Sequence, residues 1–119
     1  MKDINLLKNN GIDVDSSLEL LGDIDLYEET LNDFLEVSKE RIPLLEKYNH
    51  ESDMKNYAIQ VHAMKSDSKY LGFTKLAELS LEHQLKSEEE DTTYIHNHYN
   101  ELIKETTRVI TLVKEYFNQ

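Results

Sequence analysis

At 119 residues, 39% of them hydrophobic, the chain can fill one compact domain with a modest core. It has no Cys, which excludes disulfide and thiolate chemistry, and no apolar run of about 18 residues, so neither a membrane span nor a signal-peptide core is expected. A net charge of −11 opposes phosphate backbones and anionic lipid, so nucleic acid and membrane are poor partners, and a monomeric, cytoplasmic domain is the expectation.

Three Gly and one Pro favour a few long helices over many short strands. Residues 1–15, with "LLKNNGIDVD", read as an opening segment. "SSLE" at 16–19 has capping-box spacing, Ser16 with Glu19, and opens a short helix that Gly22 ends. "DLYE" repeats the device with Asp25 and Glu28. It starts a long helix with Tyr27, Leu31, Phe34, Ser38, Ile42 and Leu45 on one stripe, and Pro43 should kink it. "NHESD" at 49–53 reads as a polar break that holds His50. The next helix runs from about Asp53 to Leu71 on Met54, Tyr57, Val61, Met64, Ser68 and Leu71, with Gly72 as a left-handed cap.

A third long helix, Thr74 to Lys86, uses Leu76, Leu79, Leu81 and Leu85, and the acidic run at 88–91 reads as a solvated loop. Asp91 or Thr92 caps the last helix, striped by Ile95, Tyr99, Leu102, Thr106, Val109, Val113 and Tyr116. The tyrosines at 27, 57, 94, 99 and 116 read as core with their hydroxyls at its edge. The expected fold is all-α: one domain over 1–119, an antiparallel up-down-up-down four-helix bundle with a short N-terminal helix.

His62 lies one residue off the buried seam, about 100° round from Val61, and so at the edge of the apolar face. Ala58, His62, Lys65, Ser66 and Lys69 share one strip. The small residues at 58 and 66 leave the imidazole uncrowded, and Lys65 and Lys69 can reach its tip. The only basic cluster of note, Lys65, Lys69 and Lys75, lies beside it in an otherwise acidic chain. Neutral imidazole is a good nucleophile near pH 7, and a nearby ammonium stabilises a phosphoryl group placed on it. The same residues also fit a surface histidine beside solvated lysines.

The segment "HAMKSDSKYLG", His62 to Gly72, resembles the signature of histidine-containing phosphotransfer domains, H-x-x-K-G/S followed by L/I-G ten residues after the histidine. "NNGIDVDSSLELLGDIDLYEETLNDF" is similar to that family's opening segment, and "LGFTKLAELSLEHQLK" to its helix after the site, so the likeness covers most of residues 10–90. The resemblance implies that His62 accepts the phosphoryl group and that Lys65 lies beside it. Ser66 stands where glycine is commonest in the family. Many members place a glutamate where this chain has Gln84. An amide oxygen can accept the ring N–H and hold a tautomer, but it adds no negative charge.

The implied role is a phosphoryl carrier in a multistep two-component phosphorelay, without a nucleotide site and therefore not an enzyme. Its partners would be response-regulator receiver domains, with a hybrid histidine kinase as a further candidate. No cofactor is expected on this chain; the divalent metal belongs to the receiver. A receiver should dock over Ala58, His62, Ser66 and Lys69, with rim contacts from Leu76, Ser80 and His83. The rival reading is a four-helix interaction module that is not phosphorylated. A metal-binding bundle is a distant third, because His96 and His98 point about 200° apart on a helix and no Glu-x-x-His pair occurs.

Overall fold

The computed structural model describes residues 2–118, in which helices are the only regular structure. They are α1 (Asn5–Lys8), α2 (Val14–Leu21), α3 (Ile24–Glu51), α4 (Met54–Leu71), α5 (Thr74–Glu88) and α6 (Thr92–Phe117). The four long helices contact one another in a closed ring: α3 against α4, α4 against α5, α5 against α6 and α6 against α3. The short helices close one end, α1 on α6 and α2 on α3 and α4. Among the described residues no helix is long and apolar enough to cross a membrane.

One device starts four of the helices. An aspartate carboxylate accepts the backbone N–H three residues on, at Asp13 for Ser16, Asp23 for Leu26, Asp53 for Asn56 and Asp91 for Tyr94. The last two match the sequence reading. The first two move the expected starts: Asp13 caps α2 instead of Ser16, and Asp23 caps α3 instead of Asp25. Ser16 serves the cap from inside the helix, its hydroxyl donating to Asp13 Oδ2 at 2.8 Å. The break at 49–53 shrinks as well. α3 runs to Glu51 and passes through Pro43 without interruption, and only Ser52, in the left-handed region, separates it from the Asp53 cap.

The core confirms α4 residue for residue: Met54, Tyr57, Val61, Met64, Ser68 and Leu71 are all buried. In α3 the seam continues through Arg41, with Ile42 half-buried at its edge. Burying that guanidinium requires a partner, and Asp67 of α4 accepts from Arg41 Nη2 at 3.0 Å. Tyr27, Tyr57 and Tyr116 are in the core, whereas Tyr94 and Tyr99 are half-buried.

α5 departs most from expectation. Its inward face is Leu76, Ala77, Leu79, Ser80, His83 and Ser87. Leu81 and Leu85, expected inside, are 38% and 51% exposed. Two of the three polar members of the inward face have partners: Ser87 Oγ donates to His83 O at 2.7 Å, and the Tyr57 hydroxyl of α4 meets His83 Nδ1 at 2.8 Å, whereas Ser80 Oγ has none among the described residues. α5 begins at a turn of two residues. Gly72 has φ 80°, and Asp13 N–H donates to its carbonyl at 2.8 Å. A Cβ on Gly72 would overlap the backbone carbonyl of Asp13.

Gly72→Ala therefore combines a left-handed penalty with a backbone clash. We expect a loss of about 2 kcal/mol or more in urea unfolding. Unchanged stability would show that the turn is not held against α2.

Candidate functional site

α4 carries His62 onto the surface, and α5 brings Gln84 to meet it. Val61 and Met64 lock the helix into the core on either side, so the one-residue offset leaves His62 exposed. His62 Nδ1 and Gln84 Oε1 are 3.1 Å apart. The amide oxygen can only accept, so the ring donates from Nδ1, and the lone pair of the neutral imidazole is on Nε2. The contact fixes both tautomer and ring orientation.

The surroundings keep this nitrogen approachable. Ala58, one turn before, is half-buried and small. Ser66, one turn after, folds its hydroxyl back on the helix and donates to His62 O at 3.2 Å. A groove of about 590 Å³ opens between α4 and α5, lined among others by Lys55, Ala58, Ile59, His62, Gln84 and Glu88. Lys65 and Lys69 lie three and seven residues beyond His62 on α4, and neither makes an ion pair among the described residues. Lys75, the third member of the basic cluster, approaches the buried carboxylate of Glu105 at 3.9 Å.

Three residues expected at the docking rim are not on the surface. Leu76 and Ser80 are fully buried and His83 is 1% exposed. The rim was drawn from nearness to His62, but the rotation of α5 turns Ser80 and His83 inward, and Leu76 lies in the core where the apolar stripe of the helix also put it. The exposed side of α5 is instead Glu78, Leu81, Leu85 and Glu88.

His83 lies behind Gln84 in an aromatic nest, stacked on Tyr57 and edge-on to Tyr94. Burial, with a smaller contribution from the nearby His98, pushes its pKa down from 6.5 to about 4. The neutral ring shares one hydrogen bond with the Tyr57 hydroxyl through Nδ1. Burial also drives the Tyr57 phenol far above its ordinary value. The remaining histidines stand apart. His50 is in the last turn of α3, the exposed His96 bonds Ser52 Oγ through Nε2, and His98 stacks on Tyr94. Among the described residues, no group of three or more His, Cys, Asp or Glu side chains could hold a metal ion.

Compared with known proteins, the chain matches no family model, no curated protein and no solved structure.

The buried imidazole carries a pH dependence. Unfolded, His83 binds a proton near its ordinary pKa of 6.5; folded, it does so only near 4. The unfolded chain therefore binds more protons between these values. The stabilisation is fully present above pH 6.5 and is lost as pH falls toward 4, by roughly 3 kcal/mol from this residue. Imidazole C–H resonances should show His83 neutral at pH 5.5, with urea stability falling below about pH 6.5. A His83 that titrates in the ordinary range would contradict the burial argument.

Proposed function

We propose that the chain is a histidine phosphotransfer domain that carries a phosphoryl group on His62 between receiver aspartates. The observation that carries this reading is the exposed His62 ring, held through Nδ1 by Gln84 Oε1 at 3.1 Å, with small residues one turn to either side. The resemblance over residues 10–90 points the same way.

The fold proposed for it is an antiparallel up-down-up-down bundle of α3, α4, α5 and α6. Contacts between neighbouring helices support this: the start of α3 meets the ends of α4 and α6, and between α3 and α6 and between α5 and α6 the order of contacts along one helix is reversed along the other. Tyr27 of α3 bonds Leu71 O of α4, and Glu28 of α3 bonds Tyr116 of α6. Ser52, after α3, meets His96 near the start of α6. Lys75 of α5 approaches Glu105 of α6, and Glu82 of α5 meets Tyr94 of α6.

The reaction asks little of the chain beyond position and charge. The Nε2 lone pair attacks phosphorus of an aspartyl phosphate; the N–P bond forms as the P–O bond breaks, and the aspartate leaves as carboxylate. The Nδ1 proton stays on the ring, bonded to Gln84. The phosphorylated ring is thus an imidazolium, a good leaving group when a second carboxylate attacks. Lys65 supplies an ammonium one turn away that favours the phosphoryl charge. The chain itself is assigned no cofactor; a divalent ion on the receiver would offset charge on the transferring group. The exposed Leu81 and Leu85 also fit the rival reading, an interaction module that binds without phosphorylation.

Incubation with a phosphorylated receiver separates the two. The carrier gains acid-labile, base-stable phosphate, and His62→Gln abolishes this while melting is nearly unchanged, because an exposed position contributes little to the core. In the same assay Lys65→Ala should lose about 1–3 kcal/mol of stabilisation, read as slower transfer or a shorter phosphohistidine lifetime. Normal labelling of His62→Gln would defeat the assignment, and complex formation without labelling would favour the interaction module.

A further inference from the structure

The surface around His62 is divided by charge. Lys55, His62 and Lys69 recur every seven residues on α4, so each exposed lysine is set about 10 Å along the helix axis from His62. The facing side of α5 runs Glu78, Leu81, Leu85, Glu88 with spacings of 3, 4 and 3, and all four are exposed. Lys69 and Glu78 line one hollow, and Lys55 and Glu88 line the groove at the other end. The two rows face each other with opposite sign, yet none of these four charges makes an ion pair among the described residues.

Among the described residues seven of the chain's 13 Lys and Arg form ion pairs, and all three lysines of α4 are among the six that do not, in a molecule with 24 acidic residues. Free cations on one side, free acids on the other and two exposed leucines between the acids form a surface with a direction. A partner of a single sign would gain at one row and lose at the other.

We propose that this face docks a protein surface with two rows of charge, an acidic row against Lys55 and Lys69 and a basic row against Glu78 and Glu88. An aliphatic ridge covers Leu81 and Leu85 between the acids. The inference rests on the carrier reading and adds the orientation of the partner. Turning the partner by half a revolution about His62 returns its acidic row to the lysines but carries its basic row to the far side of α4, away from Glu78 and Glu88, so only one of the two poses satisfies both rows with the reactive carboxylate at the imidazole. The rows also steer encounter, an effect that salt screens.

The test loads the chain with phosphoramidate, a small donor that needs no docking surface. The loaded chain is then mixed with a panel of receiver domains, and transfer to the fastest acceptor is timed. Wild type is compared with Lys55→Glu/Lys69→Glu and with Glu78→Lys/Glu88→Lys, after circular dichroism has shown all three folded. Each double reversal should slow transfer about tenfold or more at roughly 50 mM NaCl, with rates converging near 500 mM. Changes below about twofold in either variant would overturn the proposal, and so would faster transfer in the glutamate reversal, which marks a wholly acidic partner. A wild-type chain that takes no phosphoryl group from phosphoramidate would remove the carrier reading itself. That result is distinct from a loaded chain whose transfer ignores the reversals.

Discussion

The reversal at Gly72 is the constraint on which the site depends. α4 and α5 are joined by Gly72 and Phe73 alone, so the return of α5 along α4 is fixed by the conformation of two residues. Three contacts from α2 and α3 hold that turn. Asp13, at the start of α2, donates its N–H to Gly72 O and leaves no room for a side chain there. The Tyr27 hydroxyl of α3 donates to the last α4 carbonyl, Leu71 O, at 2.9 Å, relieving one of the acceptors a helix end leaves unpaired. Phe73 is buried edge-on against Phe34 of α3, with ring centroids 5.1 Å apart. Gln84 reaches His62 three turns later because this end cannot shift.

The two histidines at the α4–α5 seam show how position decides chemistry. His62 is exposed and bonded at Nδ1 to an acceptor, which leaves the Nε2 lone pair on the neutral ring. His83, one residue from Gln84, is enclosed by tyrosines and bonded at Nδ1 to a hydroxyl, and its burial keeps it neutral. The second holds α5 in the rotation that presents Gln84 to the first. A buried polar residue here is part of the support for the exposed one.

Legibility in the sequence followed how each helix fills its inward face. α4 was readable because apolar or small residues occupy every inward position from Met54 to Leu71. α5 was not, because Ser80, His83 and Ser87 face inward and Leu81 and Leu85 face out, the reverse of what side-chain polarity alone suggests. The tertiary bond from Tyr57 to His83 compensates that burial, and such bonds leave no local pattern. Arg41 escaped for the same reason, since its partner Asp67 is 26 residues away. Two caps were misplaced because α2 and α3 each offer several Asp or Ser residues, and only the path of the chain selects among them. The His62–Gln84 contact was anticipated through family resemblance, whereas the unpaired charges facing each other across α4 and α5 emerged only once the leucines of α5 proved to be outside.

The central claim is that Gln84 holds the Nδ1 proton of His62 and leaves Nε2 to react. Nitrogen-15 and phosphorus-31 NMR of the phosphorylated chain reads this directly through one-bond N–P coupling. The account predicts a single phosphorylated residue, His62, with phosphorus on Nε2 and the proton retained on Nδ1. Phosphorus on Nδ1, or on any other residue, would contradict it.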